Sequence, residues 1–208
     1  MPLPDEILAG YRRFRTDRLA SERQRYERLA ERGQRPGVMV IGCCDSRAAP
    51  ETIFDAGPGE LFVVRNVANL VPHYAPDGEH HGTSAALEFA VMALRVAHIV
   101  VLGHGGCGGI AAALETEHEP MSPGDFIGKW IGMIEPLAKS VDPSLPPAGR
   151  QLALEEASVI NSLANLRSFP CVRILEERGK LQLHGAHFAI ATGQLRALDE
   201  TTGKFGPV

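Results

Sequence analysis

The chain has 208 residues, 44% of them hydrophobic and 22% charged, and its formal net charge at pH 7 is -4. This length fits one domain with a sizeable core. A net negative charge argues against a polyanionic partner, because nucleic-acid-binding domains usually carry a clustered basic excess. No apolar run reaches the roughly 18 residues of a membrane span, and the first residues do not resemble a signal peptide. We therefore expect a cytoplasmic protein with no nucleic-acid or membrane partner.

The first 35 residues are highly charged, and their apolar residues are thinly spaced. This pattern predicts helix with a narrow apolar stripe. Such a helix gains little from packing on its own core, so we predict that it lies along a partner subunit. We divide the chain into an N-terminal helical arm, residues 1–35, and an α/β domain, residues 36–208.

Three short apolar runs, at residues 38–41, 61–64 and 99–102, are rich in β-branched residues and bounded by glycine. They predict buried parallel strands. Residues 181–192 alternate loosely and are followed by 194–198 across a glycine, which predicts a late hairpin or edge strand. The expected fold is α/β, with a central mixed sheet that is mostly parallel, has a late antiparallel edge strand and is flanked by helices.

Helical spacing of apolar residues predicts three helices in the α/β domain. We expect Thr83 and Ser84 to cap the first of them. We expect the apolar residues of all three stripes to lie in the core. These residues are Leu87, Ala90, Val91 and Leu94; then Phe126, Trp130, Ile134 and Leu137; and then Val159, Ile160, Leu163 and Leu166.

Two segments carry metal-binding side chains, and each directly follows a predicted parallel strand. Cys43 follows the first predicted strand across Gly42, and His104 and Cys107 follow the third strand. Ligand sites in open α/β sheets collect at the carboxyl ends of strands. Two thiolates and an imidazole suit Zn²⁺ and leave a fourth position for water or substrate. Four cysteines are too few for a disulfide scaffold, which favours this reduced, metal-binding use.

Asp45 and Arg47 lie next to the first proposed ligand. An aspartate held by the planar fork of an arginine stays ionised and oriented, so it can accept a hydrogen bond from zinc-bound water or hydroxide. The alternative is a local salt bridge in a turn, which contributes little energy. A carboxylate two residues from a metal ligand favours the first interpretation.

Cys-x-Asp-x-Arg, followed by His-x-x-Cys-Gly, resembles the β-class carbonic anhydrases. The resemblance continues through residues 58–72, 82–91 and 103–110 and into the helix before Pro170, so it spans roughly residues 5 to 200. It implies a zinc lyase (carbonate dehydratase) that reversibly hydrates carbon dioxide to bicarbonate and a proton. It also implies one Zn²⁺ per chain and a homodimer or higher even oligomer.

The resemblance assigns roles to the residues of both segments. Cys43, His104 and Cys107 become the zinc ligands, and Asp45 and Arg47 become the catalytic dyad. Hydroxide on zinc would attack carbon dioxide, and Asp45 would orient it and help pass its proton to solvent. In a closed state, Asp45 would itself be the fourth ligand.

The family places its substrate in a small apolar cleft at a dimer interface. Gln34 would donate a hydrogen bond to a substrate oxygen, and Gly106 and Gly108 would expose backbone donors. Phe89 stands where plant-type relatives have a tyrosine, which removes a hydroxyl from the cleft. The residues at cleft positions are Gln34, Phe62, Val67, Phe89, Gly106 and Gly108.

Val40 stands where the family's bicarbonate-inhibited subgroup has a tryptophan. With Gln34, it makes the chain resemble the plant-type, non-allosteric branch. His80 and His81 precede the helix that carries Phe89, and imidazoles are natural proton carriers, although loop histidines are often merely exposed. We expect the remaining histidines to be structural or exposed.

Two other functions use the same residues. A hydrolase of carbonyl sulfide or carbon disulfide would need the same ligands and would differ in the shape of the entrance. A structural zinc or thiol redox protein would need no carboxylate at Asp45. A deaminase is disfavoured because the H-x-E and P-C-x-x-C signature is absent.

Overall fold

The computed structural model describes residues 3–77, 81–115 and 119–208, and in these residues the core of the fold is one six-stranded sheet. The strands are β1 Val38–Cys43, β2 Leu61–Asn66, β3 His98–His104, β4 Gln182–Ala189, β5 Gln194–Asp199 and β6 Lys204–Pro207. Their order is β2-β1-β3-β4-β5-β6. The first four are parallel, and β5 and β6 are antiparallel. The predicted mixed sheet is confirmed, with a two-strand antiparallel edge.

The central strands β1 and β3 are apolar on both faces of the sheet. Met39 and Ile41 lie in the main core on one face, and Val40 packs with Leu102 on the other. A strand that is buried on both sides needs a continuous apolar run, and for this reason both strands could be predicted from the sequence. Each fully buried Leu, Ile or Met contributes about 1.5–3 kcal/mol relative to an exposed side chain.

Helices flank the sheet in the part of the chain that the structure describes. They are α1 Asp5–Thr16, α2 Arg18–Arg32, α3 Pro50–Ile53, α4 Gly82–Glu88, α5 Gly108–Leu114, α6 Phe126–Ile131, α7 Glu135–Ser140, α8 Pro147–Ser168 and α9 Pro170–Glu177. Short 3-10 turns follow β2 and α6, and a π-helical segment, Phe89–Leu94, continues α4. None of the helices in the described ranges combines the length and apolarity of a membrane span.

The N-terminal arm consists of two helices, α1 and α2, that break at Asp17. Neither helix has a buried residue. The rings of Phe14 and Tyr26 meet edge to face with centroids 5.8 Å apart, which joins the two helices. Arg25 forms a 2.7 Å ion pair with Glu60 and ties α2 to the body. The division of the chain at residues 35 and 36 remains a prediction.

The capping prediction for α4 is wrong. The helix begins at Gly82, so Thr83 and Ser84 lie inside its first turn, and the residue at the N-cap is His81. Thr83 is buried instead, where its hydroxyl accepts a hydrogen bond from the side-chain amide of Asn66 at 3.2 Å. The hydroxyl therefore serves tertiary packing and not the helix end.

Two predicted core residues are exposed. Phe126 is the first residue of α6 and is 82% exposed, because Asp125 caps the helix there and the following turns carry the apolar contacts. Ile160 is 40% exposed, on the side of α8 away from the sheet. The central residues of the three predicted stripes are buried, as predicted. They are Leu87, Ala90, Val91, Ile134, Val159, Leu163 and Leu166.

Candidate metal centre

The carboxyl ends of two neighbouring parallel strands bring three metal-binding side chains together. Strand β1 ends at Cys43 and strand β3 at His104, and Cys107 immediately precedes α5. The ligand atoms of these three buried residues all lie within 4.8 Å of one another. The two sulfur atoms are 3.9 Å apart. The sheet topology thus unites segments that are about sixty residues apart in the chain.

The donor set fits a tetrahedral zinc ion. Zinc–sulfur bonds of about 2.3 Å place two sulfurs of a tetrahedral site about 3.8 Å apart. The Nδ1 atom of His104 lies 3.1 Å from the carbonyl oxygen of Gly105, and donation of its hydrogen there leaves the Nε2 lone pair free. Nε2 is buried and has no hydrogen-bond partner among the described residues. A buried polar atom without a partner is costly, and a metal bond would remove that cost.

Backbone amides and a neighbouring thiol favour charge on the sulfur of Cys43. The backbone amide of Ala68 donates a hydrogen bond to Cys43 Sγ at 3.3 Å. Ala68 has a left-handed backbone conformation, with φ of 63°, where the amide points toward this sulfur. A hydrogen bond from Cys107 lowers the pKa of Cys43 to about 4. The same hydrogen bond, followed by burial, raises the pKa of Cys107. The protein alone therefore stabilises one thiolate, and a divalent cation would stabilise both.

Asp45 and Arg47 form a bidentate pair beside the three ligand atoms. Arg47 Nε donates to Asp45 Oδ1 at 2.9 Å, and Nη2 donates to Oδ2 at 2.7 Å. These hydrogen bonds hold the pKa of Asp45 well below its ordinary range. Nη2 also reaches the Gly106 carbonyl at 3.2 Å, which links the two segments. Asp45 Oδ2 lies 3.9 Å from His104 Nε2, so the carboxylate is adjacent to the ligand cluster but is held on Arg47.

Arg65 supports the first segment, a role that was not predicted from the sequence. Its Nε donates to the Cys43 carbonyl and its Nη2 to the Asp45 carbonyl, both at 2.7 Å. The next residue, Asn66, accepts a hydrogen bond from the Cys44 amide at 2.9 Å. The end of β2 thus fixes the loop after β1. A charged residue at the end of an apolar strand is the signal that would have indicated this.

Glu155 and His187 lie behind the second segment and were also missed. Both are buried, and His187 Nε2 lies 2.9 Å from Glu155 Oε2. The other oxygen of Glu155 accepts a hydrogen bond from the Cys107 amide at 3.1 Å. No local sequence pattern marks either residue, because long stretches of chain separate them from Cys107.

The predicted cleft residues do not form one pocket within a single chain. The rings of Phe62 and Phe89 pack with centroids 5.9 Å apart, and Phe89 is 50% exposed. Val67 packs against the apolar cluster that contains Cys43 and Cys107. Gln34 lines a separate cavity of about 310 Å³ with Arg35 and Arg95.

The two glycines of the predicted site lie next to Cys107 on either side. Gly106 has φ of 66°, a conformation that favours glycine, and a Cβ on Gly106 or Gly108 would meet nothing within 4 Å. This open space leaves room for a small molecule beside the ligand cluster.

The proton-carrier prediction concerned His80 and His81. His80 lies outside the described residues. His81 Nε2 lies 2.7 Å from a carboxylate oxygen of Asp77 on the surface. The role of both histidines stays a prediction.

The chain is similar to known carbonic anhydrases over nearly all of its length. A family model described as carbonic anhydrase matches residues 38–195. A carbonic anhydrase of Pseudomonas aeruginosa is 38% identical over 202 residues, which cover 96% of this chain and 90% of that protein. The structure of the β-carbonic anhydrase CcaA covers 98% of this chain and 91% of its own, with a TM-score of 0.88 and 28% identity. A tetrameric β-carbonic anhydrase of Sordaria macrospora has a TM-score of 0.81 and 30% identity and covers 93% of this chain and 95% of its own.

The matched region includes both segments that carry the proposed metal ligands. The mixed six-stranded fold and the Cys-His-Cys cluster agree with the family match. The chain therefore belongs to the carbonic anhydrase family and is an enzyme of its β class, which reversibly hydrates carbon dioxide.

Proposed function

We propose that the chain hydrates carbon dioxide with one zinc ion held by Cys43, His104 and Cys107. The observation that carries the proposal is the buried cluster, with two sulfurs 3.9 Å apart and a His104 Nε2 that has no other partner in the described chain. Zinc bound by these residues would supply the nucleophile, because it lowers the pKa of a coordinated water from 15.7 to about 7. The three protein ligands leave a fourth position for that water.

Asp45 would orient the nucleophile by accepting a hydrogen bond at the fourth position. Its lowered pKa keeps it ionised, so it accepts and does not donate. Arg47 donates to Oδ1 from its Nε and its backbone amide and to Oδ2 from its Nη2 alone, so Oδ2 still has a lone pair near the ligand cluster. Arg47 acts as a positioning residue, because it holds both Asp45 and the Gly106 carbonyl. A closed state with Asp45 as fourth ligand would require this pair to break.

The substrate cleft would form between subunits. Phe62, Val67 and Phe89 would supply its apolar wall, and the backbone at Gly106 and Gly108 would face the substrate from the open side. Gln34 lines a different cavity in its own chain, so we propose that it reaches the cleft from a partner subunit. There its amide would donate to a substrate oxygen.

The N-terminal arm would pack on that partner, giving a homodimer or a higher even oligomer. Residues 1–35 contain nine arginines and six acidic residues, whereas the rest of the chain contains 12 basic and 19 acidic residues. The basic arm therefore complements an acidic body. Ile7 and Tyr11 lie one turn apart on α1, Leu3 lies just before the helix, and all three are more than half exposed. The tetrameric relative from Sordaria macrospora agrees with such assembly.

Two finer properties follow from individual residues. Val40 is completely buried in the apolar cluster with Leu102 and Ala186, where it offers no polar atom for a bicarbonate pocket. This supports the plant-type, non-allosteric branch. A cytoplasmic location is proposed because Cys43 and Cys107 must stay reduced to bind metal.

A stopped-flow pH-indicator assay with zinc-loaded protein tests the proposed function. We expect catalysed carbon dioxide hydration that a chelator abolishes and that added zinc restores. Cys43→Ser should lose zinc and activity, whereas Cys44→Ser, at an exposed neighbouring position, should keep both. Full zinc loading without carbon dioxide hydration would contradict the proposal. Hydrolysis of carbonyl sulfide or carbon disulfide by that same protein would then favour the sulfur-substrate alternative.

A further inference from the structure

Glu155, on α8, is a buried carboxylate with an unusually complete set of partners. It is only 3% exposed, and its Oε1 atom accepts hydrogen bonds from the Cys107 amide and from Gln151 Nε2, each at 3.1 Å. Its Oε2 atom lies 2.9 Å from His187 Nε2. Burial of a carboxylate is costly unless such donors surround it.

Helix α8 holds both polar groups of the Cys107 backbone. Glu155 accepts from the amide, and Gln151, one helical turn earlier, donates to the carbonyl of Cys107 at 3.3 Å. The peptide group of a proposed metal ligand is thus clamped by two side chains from one helix. The backbone of Cys107 is held against α8 by contacts that involve no metal.

His187, on β4, connects the same clamp to the segment of His104. It pairs with Gly103 across the parallel strands β3 and β4. A Cβ built on Gly103 would lie 3.7 Å from His187 Cδ2, and one on Gly105 would lie 3.9 Å from Cε1. The imidazole therefore lies against the backbone on both sides of His104.

The hydrogen bonding of His187 indicates its tautomer. Nδ1 is buried and has no partner among the described residues. If Nε2 carries the hydrogen and donates it to the Glu155 carboxylate, a neutral ring has only an unpaired acceptor at Nδ1. A doubly protonated ring would instead leave a charged donor at Nδ1 without a partner, which costs more free energy. The ring thus anchors the carboxylate that holds Cys107.

We propose that Glu155, anchored by His187, is a positioning residue that fixes Cys107 and the His104 segment in metal-binding geometry before the metal binds. The inference rests on the proposed function, because it assumes that zinc binds at this cluster. The Asp45–Arg47 pair would act at the fourth metal position. Glu155 and His187 would provide a second support, which acts on the backbone of the ligands. Loss of such outer-shell partners typically costs about 10–100-fold in metal affinity or activity.

The test compares zinc retention among variants of the full chain. Glu155→Leu removes the clamp, Glu155→Gln keeps an oxygen for the Cys107 amide, and His187→Phe removes only the anchor. Glu156→Gln is the matched control, because the next residue on α8 forms a 2.6 Å ion pair with Arg196. Leu166→Ala is a second control that destabilises the buried side of α8 away from the site.

Zinc release into excess chelator, the thiolate-to-cobalt absorption of Co²⁺-substituted protein and thermal unfolding are measured for every variant. We expect Glu155→Leu to release zinc about 10–100-fold faster and to alter the cobalt absorption. His187→Phe should lie between it and wild type, and Glu155→Gln should recover most of the wild-type retention. Leu166→Ala should unfold at a lower temperature but release zinc at the wild-type rate, as should Glu156→Gln.

Wild-type zinc release and cobalt absorption in His187→Phe and in every Glu155 variant that folds would overturn the proposal. The proposal would also be overturned if Leu166→Ala released zinc as fast as Glu155→Leu does. Faster release would then follow from lower stability of the fold and not from loss of the clamp. If Glu155→Leu does not fold, His187→Phe decides the matter, because Glu155→Gln is expected to stay close to wild type. Wild-type protein that binds zinc here but does not hydrate carbon dioxide would contradict the proposed function and leave the positioning test intact. Wild-type protein that binds no zinc would contradict both.

Discussion

Arg47 and Asp45 are joined by two parallel hydrogen bonds, at 2.9 and 2.7 Å, that take up both oxygens of the carboxylate. Such a fork fixes orientation as well as charge, which a lysine cannot do. The pair lies beside the buried cluster of Cys43, His104 and Cys107, and Arg47 also contacts the Gly106 carbonyl. The carboxylate thus has a defined direction next to the side chain of His104.

Asp45→Asn should lower kcat by about 100-fold or more, because the amide presents a donor where an acceptor is needed. Zinc content should not change, since Asp45 is not one of the three clustered ligands. Stopped-flow assays and metal analysis on the same preparations check this. Glu51→Gln, at an exposed carboxylate, is the control. Wild-type kcat in Asp45→Asn would show that the carboxylate is not needed to orient the nucleophile.

Arg47→Ala should release Asp45 toward the metal. The carboxylate already lies 3.9 Å from His104 Nε2, and only Arg47 holds its two oxygens by side-chain hydrogen bonds in the described structure. We expect a loss of activity and a change in the visible absorption of Co²⁺-substituted protein, because a carboxylate oxygen would replace water. Arg173→Lys, in an exposed ion pair with Glu177, should change neither. Unchanged cobalt absorption in Arg47→Ala would show that Asp45 keeps its position without the arginine.

The strands that deliver the ligands were predictable because each is a short apolar run ended by glycine. Val38–Ile41 and Ile99–Leu102 are buried on both faces, and that environment demands such runs. The break at Asp17 and the π-helical turn from Phe89 to Leu94 carry no comparable signal. Phe126 was misassigned because helical spacing shows which residues share a face but not where the helix begins relative to the core.

The site was predictable where its residues are close in sequence or directly follow the predicted strands. Asp45 and Arg47 stand beside Cys43, so their proximity could be read directly. Glu155 and His187 are 48 and 80 positions beyond Cys107 and meet it only because α8 and β4 pack behind β3. Their contribution depends on tertiary structure that local patterns do not encode.

His184 should make the fold less stable at mildly acidic pH. Burial, followed by the charge of His98 at 3.1 Å, lowers the pKa of His184 below its ordinary 6.5, although Glu200 opposes this. As pH falls through 6.5, the unfolded chain takes up a proton before the folded chain does, so the free energy of unfolding decreases. The contribution of neutral His184 to the free energy of unfolding is fully present above pH 6.5.

Urea denaturation at about pH 8 and about pH 5.5 measures this effect, since the unfolded histidine titrates between them. His184→Gln should lose less stability than wild type over this interval. The exposed His73→Gln controls for removal of a histidine from the surface. An equal loss in wild type and His184→Gln would show that other groups set the acid sensitivity.

Ile7→Ser combined with Tyr11→Ser should weaken the oligomer. Both side chains are more than half exposed in the isolated chain, on the arm that we propose to lie on a partner. Light scattering after size-exclusion chromatography should show a smaller mass at low protein concentration. Glu6→Gln, on the same helix, should retain the wild-type mass. If the double variant also keeps that mass, the arm does not hold the subunits together.

The most direct test of the zinc centre is a crystal structure of the zinc-loaded protein at alkaline pH, with anomalous diffraction at the zinc edge. We predict one zinc peak per chain, bonded to Cys43 Sγ, His104 Nε2 and Cys107 Sγ, with a solvent oxygen as the fourth ligand and Asp45 paired with Arg47. A zinc peak elsewhere, or a fourth protein ligand that closes the site at this pH, would contradict the account.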